Sequence, residues 1–106
     1  MTDAELLTML EYNLELITEY MDDEALEAKE AELTLYLDSA KKFIATEGIT
    51  LDLSDMGDCQ LVVMYASWLY EKRKAVSTGY STVNGAMPRM LRWNLNNRLF
   101  SEKVGE

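Results

Sequence analysis

The 106-residue chain contains no histidine and only one cysteine and one proline. Histidine is the commonest general base and the commonest transition-metal ligand, so its absence removes the usual centres of catalysis and metal binding. The single thiol, Cys59, cannot form an intrachain disulfide or a thiolate zinc site, and we expect it to be a small buried group. A glycine-rich phosphate loop is also absent. We therefore predict that the chain is not an enzyme and has no catalytic residue, metal site or cofactor.

Long apolar segments are missing as well. The longest apolar run covers residues 61–66 and resumes at residues 68–70. A membrane-spanning helix needs about 20 such residues. The first residues lack the basic start of a signal peptide. These features predict a soluble, intracellular protein that does not interact with a membrane.

Charge is distributed unevenly between the two halves of the chain. Residues 1–58 have 16 acidic and 3 basic side chains, a net charge of −13. Residues 59–106 have 3 acidic and 7 basic side chains, a net charge of +4. The total of −9 argues against general DNA binding, which needs a cationic surface. A chain with two such ends can attract copies of itself head to tail, and that contact closes into a ring when its rotation allows.

The first half is rich in residues that favour helices. Residues 1–47 contain no glycine or proline, and leucine, glutamate, alanine and lysine are frequent among them. Thr2 and Glu5 have the spacing of a capping box, which predicts a first helix over residues 3–12. The residues after it fit either a helix or a loop, so the end of this helix is open.

Two further helices are predicted in the middle of the chain. Residues 22–24 are acidic, and acidic side chains stabilise the N-terminus of a helix because it carries a partial positive charge. They therefore predict a second helix over residues 23–47. Gly48 is suited to the position that follows the end of this helix. A third helix is predicted over residues 55–75, with apolar residues around most of its axis. This distribution is typical of a central helix, or of one that is also covered by a neighbouring subunit.

A 13-residue connection, residues 75–87, separates the third helix from the fourth. A connection this long in a small domain is either functional or disordered, and its Asn84-Gly85 pair favours a tight hairpin turn. Pro88 suits the first position of a fourth helix. We expect this helix to end near residue 100, with residues 101–106 frayed.

The fourth helix has one apolar stripe and one polar face. The apolar stripe consists of Leu91, Leu95 and Leu99, widened by Met90, Trp93 and Phe100. Arg89 and Arg92 lie on the polar face, where they are either solvated or paired with acidic groups of a neighbouring subunit. Together the elements predict an all-α fold, a single small domain of about four helices over residues 1–106 with a long loop between the third and fourth.

Residues 52–58 have a superficial likeness to a calcium-binding loop. When Gly57 is aligned with the loop glycine, Met56 and Val63 fall at positions that should supply oxygen ligands. Neither side chain has an oxygen atom. We therefore interpret the segment as an acidic helix start.

Several segments carry a likeness to a known family. Residues 61–73 read as a hydrophobic helix that closes with Tyr-Glu-x-Arg, and residues 87–100 read as a short helix led by proline. Residues 20–24 and 40–44 follow the same pattern in the first half. In this order and spacing, the chain resembles the small helical head–tail connector proteins of tailed phages and prophages, also called head-completion or adaptor proteins.

The resemblance implies a structural protein of the virion. Members of that family form rings of roughly a dozen copies that dock under the portal protein at the capsid vertex. The ring bridges the portal to the tail-side connector protein and lets DNA pass through its centre as cargo. The implied partners are thus copies of the chain itself, the portal protein and the tail-side connector. The implied location is the virion neck, with the host cytoplasm during assembly.

Under this hypothesis, six residues contribute to the subunit contact or its edge: Trp68, Tyr70, Arg73, Arg89, Arg92 and Trp93. Acidic faces of the first two helices would receive the basic groups. One alternative is an acidic helical binding module, such as a DNA mimic or a small regulatory protein of phage origin. Another is a helix-turn-helix DNA binder with contacts from Arg89, Arg92, Asn96 and Arg98, although the loop before that helix is too long for the motif's turn.

Overall fold

Four α-helices make up the secondary structure of the described residues. The structure, a computed structural model, describes residues 2–16, 21–77 and 87–104, without the side chains of residues 74–77 and 103–104. The helices are α1 (Asp3–Asn13), α2 (Asp23–Thr46), α3 (Met56–Ser77) and α4 (Arg89–Val104). The described residues contain no strand. The predicted all-α class is confirmed. The predicted hairpin turn at residues 84–85 lies outside the described ranges.

The first two helices begin at the capping residues that the sequence indicated. The Thr2 hydroxyl oxygen accepts the Glu5 N–H at 3.2 Å, and the Glu5 carboxylate accepts the Thr2 N–H at 3.2 Å. Asp22 accepts the N–H of Ala25 at 2.7 Å. These bonds satisfy amide groups that have no partner inside the helix. Helix α1 ends at Asn13, one residue later than predicted.

Gly48 follows the end of α2 in the backbone conformation that favours glycine. Its φ is 100°, a region that costs other residues about 1–2 kcal/mol. A Cβ atom at this position would lie 3.4 Å from Cδ1 of Leu99 on α4. The predicted helix stop is confirmed, and the same glycine lies directly against the docked fourth helix.

Helix α3 occupies the centre of the bundle. Its buried residues are Cys59, Leu61, Val62, Val63, Tyr65, Ala66, Ser67 and Tyr70, together with the acidic Asp58. Because consecutive residues of a helix point in different directions, burial at positions 61–63 means that α3 is covered on several sides. It contacts α1, α2 and α4. Helices of the same chain therefore bury much of the apolar surface of α3 that the sequence predicted to be covered.

The other three helices each contribute one apolar stripe to the core around α3. The stripes contain Leu6 and Leu10 from α1, Leu33, Leu37, Ala40 and Ile44 from α2, and Leu91 and Leu95 from α4. Cys59 is buried, as predicted, and its thiol donates to the carbonyl oxygen of Leu53 at 3.1 Å. Within each helix these residues are spaced as one helical face requires.

Helix α4 is buried along only part of its apolar stripe. Leu91 and Leu95 are buried, but Met90, Trp93 and Phe100 are 63%, 63% and 69% exposed. The three residues that widen the stripe are therefore not part of the core. Within the described ranges, the other helices cover one side of α4 and leave these residues in solvent.

The C-terminal end of α4 is ordered helix and extends to Val104. The Glu102 carboxylate accepts the Thr50 N–H at 2.9 Å and a hydrogen bond from Arg98 Nη1 at 2.9 Å. The prediction that residues 101–104 fray was therefore wrong. A tertiary contact with the α2–α3 linker fixes this turn, and residues 105–106 lie outside the described ranges.

Candidate functional site

The six residues proposed for a subunit contact lie in two separate places. Arg89 and Trp93 are exposed on α4, and Arg92 of the same helix is partly exposed. On α3, Tyr70 is buried, Trp68 is partly buried and only Arg73 is exposed. The structure thus brings together the three α4 residues and leaves the α3 aromatic residues within the fold.

An open groove of about 650 Å³ lies along the outer side of α4. We call it the α4 groove, and it is lined by Met87, Arg89, Met90, Arg92, Trp93 and Asn96. Phe100 lies two helical turns beyond Trp93 on the same side and is also exposed. Exposed apolar groups gathered in this way, with a polar edge, are typical of interaction surfaces.

Three residues of this groove, Arg89, Arg92 and Trp93, are among those predicted from the sequence to lie at a subunit contact. Met87, Met90 and Asn96 also line the groove and were not predicted at that contact. A usable signal existed in the breadth of the apolar pattern, which extends around more of α4 than one neighbouring helix can cover.

Arg92 is held in an ion pair inside the chain. Its Nη1 and Nη2 atoms donate to the two carboxylate oxygens of Glu47 at 2.8 and 3.3 Å. Glu47 caps the C-terminal end of α2, so the pair ties α4 to α2. This intrachain pair is neither of the alternatives predicted for Arg92. It fixes the guanidinium at one wall of the α4 groove, where a two-bond contact limits its movement.

Arg98 forms the main polar junction between α4 and the rest of the fold. Its Nε and Nη2 atoms donate to the two oxygens of Asp58 at 2.7 and 3.2 Å, and Asp58 is only 3% exposed. Nη2 also donates to the carbonyl oxygen of Thr50 at 2.8 Å. The hydrogen bond to Asp58 raises the pKa of Arg98 above its ordinary value. The Thr50 N–H is the main group that lowers the pKa of Glu102.

The Arg98 junction bears on the helix-turn-helix alternative. That alternative needs Arg92 and Arg98 as contacts to DNA, whereas both guanidinium groups bind carboxylates of their own chain. Asp58 is not predictable from the sequence as the partner of Arg98, because the two residues are 40 positions apart. Only the spacing of Arg98 and Glu102, one helical turn apart, was visible as a signal.

The aromatic residues of α3 form contacts within the fold. The Tyr70 ring packs edge-to-face on Tyr36 at a centroid distance of 5.7 Å, and its hydroxyl accepts a hydrogen bond from Lys29 at 3.3 Å. Trp68 packs edge-to-face on Tyr65 at 5.6 Å. Trp68 Nε1 and the Tyr36 hydroxyl are buried without a partner among the described residues. These aromatic groups hold α3 in the bundle, so they contribute to the α4 groove only by supporting the fold.

Residues 52–58 use their carboxylates to fix the start of α3. Asp52 accepts the N–H and hydroxyl of Ser54, and Asp55 accepts the N–H of Gly57 at 2.7 Å. Asp58 accepts the N–H of Asp52 at 2.9 Å in addition to its bonds from Arg98. These contacts support the interpretation as an acidic helix start. Across the described residues, no group of three or more cysteine or acidic side chains is placed to hold a metal ion.

The two halves of opposite charge meet partly within one chain. The pairs Arg92–Glu47 and Arg98–Asp58 each join a basic residue of the second half to an acidic residue of the first. In the parts of the chain that the structure describes, Arg73 and Arg89 form no ion pair, and both are exposed. Arg89 is therefore the available cation beside the α4 groove.

Among the described residues, no helix is long and apolar enough to cross a bilayer. Comparisons with protein families, with curated proteins and with solved structures each find no match to this chain. The α4 groove is thus identified from its own exposure, shape and charge.

Proposed function

We propose that this chain is a non-enzymatic structural adaptor of a tailed phage or prophage. It forms a homo-oligomeric ring between the portal protein and the tail-side connector, and DNA passes through the ring. The α4 groove is the observation that carries this proposal, because it offers an apolar contact surface on a helix that Arg92 and Arg98 tie to the rest of the fold. The likeness of residues 61–73 and 87–100 to head–tail connectors supplies the identity of the assembly.

The composition of the groove suits a protein partner better than a substrate. Its apolar part consists of methionine and tryptophan side chains, and Arg89, Arg92 and Asn96 supply its polar part. Tryptophan and arginine are the residues that most often dominate binding at protein interfaces. None of the six lining residues is an acidic group or a nucleophile that would begin acyl or glycosyl transfer.

The proposal is tested by mixing the purified chain with the portal protein encoded in the same genome. Light scattering and electron microscopy should show a ring seated on the portal. Met90→Gln should weaken this assembly at least about tenfold, since it places an amide in the apolar part of the groove. Met56→Gln is the matched control, because Met56 is 55% exposed and lies outside the groove. Absence of a portal complex at high concentration would refute the proposal.

An acidic binding module is the second candidate. It is favoured by the exposed carboxylates on α2, which include Asp23, Glu24, Glu27 and Asp38. A protein of this kind would occupy a basic site on another protein and would leave the α4 groove unused. Affinity purification that recovers a nuclease or polymerase, without portal or tail proteins, would favour this candidate.

A further inference from the structure

We propose that the α4 groove of one copy binds a specific stripe on the outer face of α2 of the next copy. The α2 stripe consists of Glu24, Glu27, Ala28, Ala31, Leu35 and Asp38, all of which are exposed. The contact is head to tail, and it gives the self-association of the proposed function a defined donor surface and a defined acceptor surface. This inference rests on the proposed function in one respect, namely that the chain binds copies of itself.

Helical geometry places the six residues of the α2 stripe on one side of the helix. Their spacings of three, four and seven residues correspond to nearly whole helical turns. Leu35 is 68% exposed near the middle of α2, and two alanines lie on the N-terminal side of it. Small residues beside one exposed leucine make a shallow apolar strip that can receive larger side chains.

The shapes of the two surfaces are complementary. The α4 groove presents the large side chains of Met90 and Trp93, each 63% exposed. The α2 stripe presents Leu35 beside two alanines. Packing tryptophan and methionine over leucine and alanine buries apolar area without placing bulky groups against each other.

The charges of the two surfaces are also complementary. Arg89 lies at the α4 groove without an ion pair in the described structure. Within the α2 stripe, Glu24, Glu27 and Asp38 flank the apolar residues. Among the described residues, none of these three carboxylates forms an ion pair either. Opposite charges at the rim favour encounter and set orientation, and the ionic part of the association should weaken with salt.

A contact between two α4 grooves is disfavoured by the same charges. Two-fold symmetry would bring Arg89 of each copy toward the other, together with both Arg92 side chains. The α4 groove and the α2 stripe are separate and exposed in the same chain, so both can be occupied at once. A repeated head-to-tail contact then forms a closed ring if its rotation allows closure.

Two variants, each blocked at one surface, test this arrangement. Trp93→Gln removes the aromatic group from the α4 groove and leaves a neutral amide there, and Leu35→Lys places a cation in the α2 stripe, so the two altered surfaces have no complementary charge. Sedimentation velocity should show that the wild-type chain associates beyond a dimer, whereas each variant alone is at least about tenfold weaker. A mixture of the two variants should form a one-to-one dimer that grows no further, because each variant retains the surface that its partner needs.

The controls distinguish the contact from misfolding and from the phage assignment. Met56→Lys changes an exposed methionine outside both surfaces and should associate like the wild type. Formation of the mixed dimer itself shows that both variants are folded. A wild-type chain that stays monomeric at about 1 mM would overturn the proposal, as would Leu35→Lys with wild-type association. Self-association without portal binding would refute the phage adaptor and leave this contact standing.

Discussion

Helices α3 and α4 are attached to the fold in different ways. Helix α3 is covered on several sides and has an uninterrupted buried run at residues 61–63. Helix α4 is buried mainly along Leu91 and Leu95, and ion pairs from Arg92 and Arg98 fix it to α2 and α3. A helix that is held by one stripe and a few polar contacts keeps its other side available. From this difference we propose that α3 serves mainly the folding of the domain and that α4 serves binding.

The largest predicted effect concerns two leucines on opposite sides of α2. Leu33 is fully buried and Leu35 is 68% exposed. Leu33→Ala should lower the free energy of unfolding by about 2–5 kcal/mol, because it removes buried methyl groups and leaves a cavity. Leu35→Ala should change it by less than about 0.5 kcal/mol. Urea unfolding followed by circular dichroism measures both, and equal losses would show that the faces of α2 are assigned wrongly.

The next effect tests how α4 is fixed. Arg98→Met leaves the buried Asp58 carboxylate without its main partner and should cost about 2–3 kcal/mol. Arg89→Met is the matched control and should leave stability nearly unchanged, because Arg89 is exposed and forms no ion pair in the described structure. Thermal unfolding of both variants gives the comparison. Equal stability of the two would contradict the role of the Arg98 junction.

A smaller effect is expected at the turn where α2 ends beside α4. Gly48→Ala should destabilise the chain by about 1–2 kcal/mol, since the φ of 100° is unfavourable for alanine. The new methyl group would also lie 3.4 Å from Leu99, an ordinary contact distance that adds little strain. The loss of unfolding free energy should therefore come from strain in the backbone, and α4 should remain docked. A stabilised Gly48→Ala variant in urea unfolding would contradict this conformation.

The smallest and most distributed effect is the dependence of stability on pH. Carboxyl groups with lowered pKa values in the folded chain are Asp3, Glu5, Asp52 and Glu102. A lowered folded pKa contributes stability that is complete above the unfolded pKa and is lost as the pH falls through the folded value. Burial, followed by the charge of Glu30, raises the pKa of Glu11, which acts in the opposite direction.

Stability should therefore decline as the pH falls below about 4.5. Glu102→Gln should reduce the slope of this decline, because it removes one group whose pKa is lowered by the Thr50 N–H. Urea unfolding between neutral and acid pH measures the slope. If the slope of stability against pH is unchanged in the Glu102→Gln variant, the Glu102 carboxylate does not contribute to the decline. Below the isoelectric point of about 4.4 the chain gains net positive charge, and this self-repulsion should add to the decline.

Local signals in the sequence were sufficient to place most helix boundaries. The Thr2–Glu5 capping box, the Asp22 cap and the Gly48 stop each depend on residues within one helical turn, and each was visible in the sequence. Such features need no knowledge of which helices become neighbours.

Features of α4 that depend on its neighbours were not predictable in this way. The exposure of Trp93 depends on how many helices cover α4, and periodicity does not give that number. The ordered turn near Glu102 depends on Thr50, which is 52 residues away in the chain. Half of the residues that line the α4 groove could therefore be predicted from residue type alone. The shape of the groove depends on how the helices pack and could not.

The fluorescence of Trp93 tests most directly whether the outer side of α4 is a binding surface. Trp68→Phe leaves Trp93 as the single tryptophan, and Trp93 is 63% exposed in the single chain. As protein concentration rises, or as portal is added, its emission should shift to shorter wavelength because the indole leaves water. Assembly with unchanged Trp93 emission would contradict the account, since it would place the contact elsewhere on the chain.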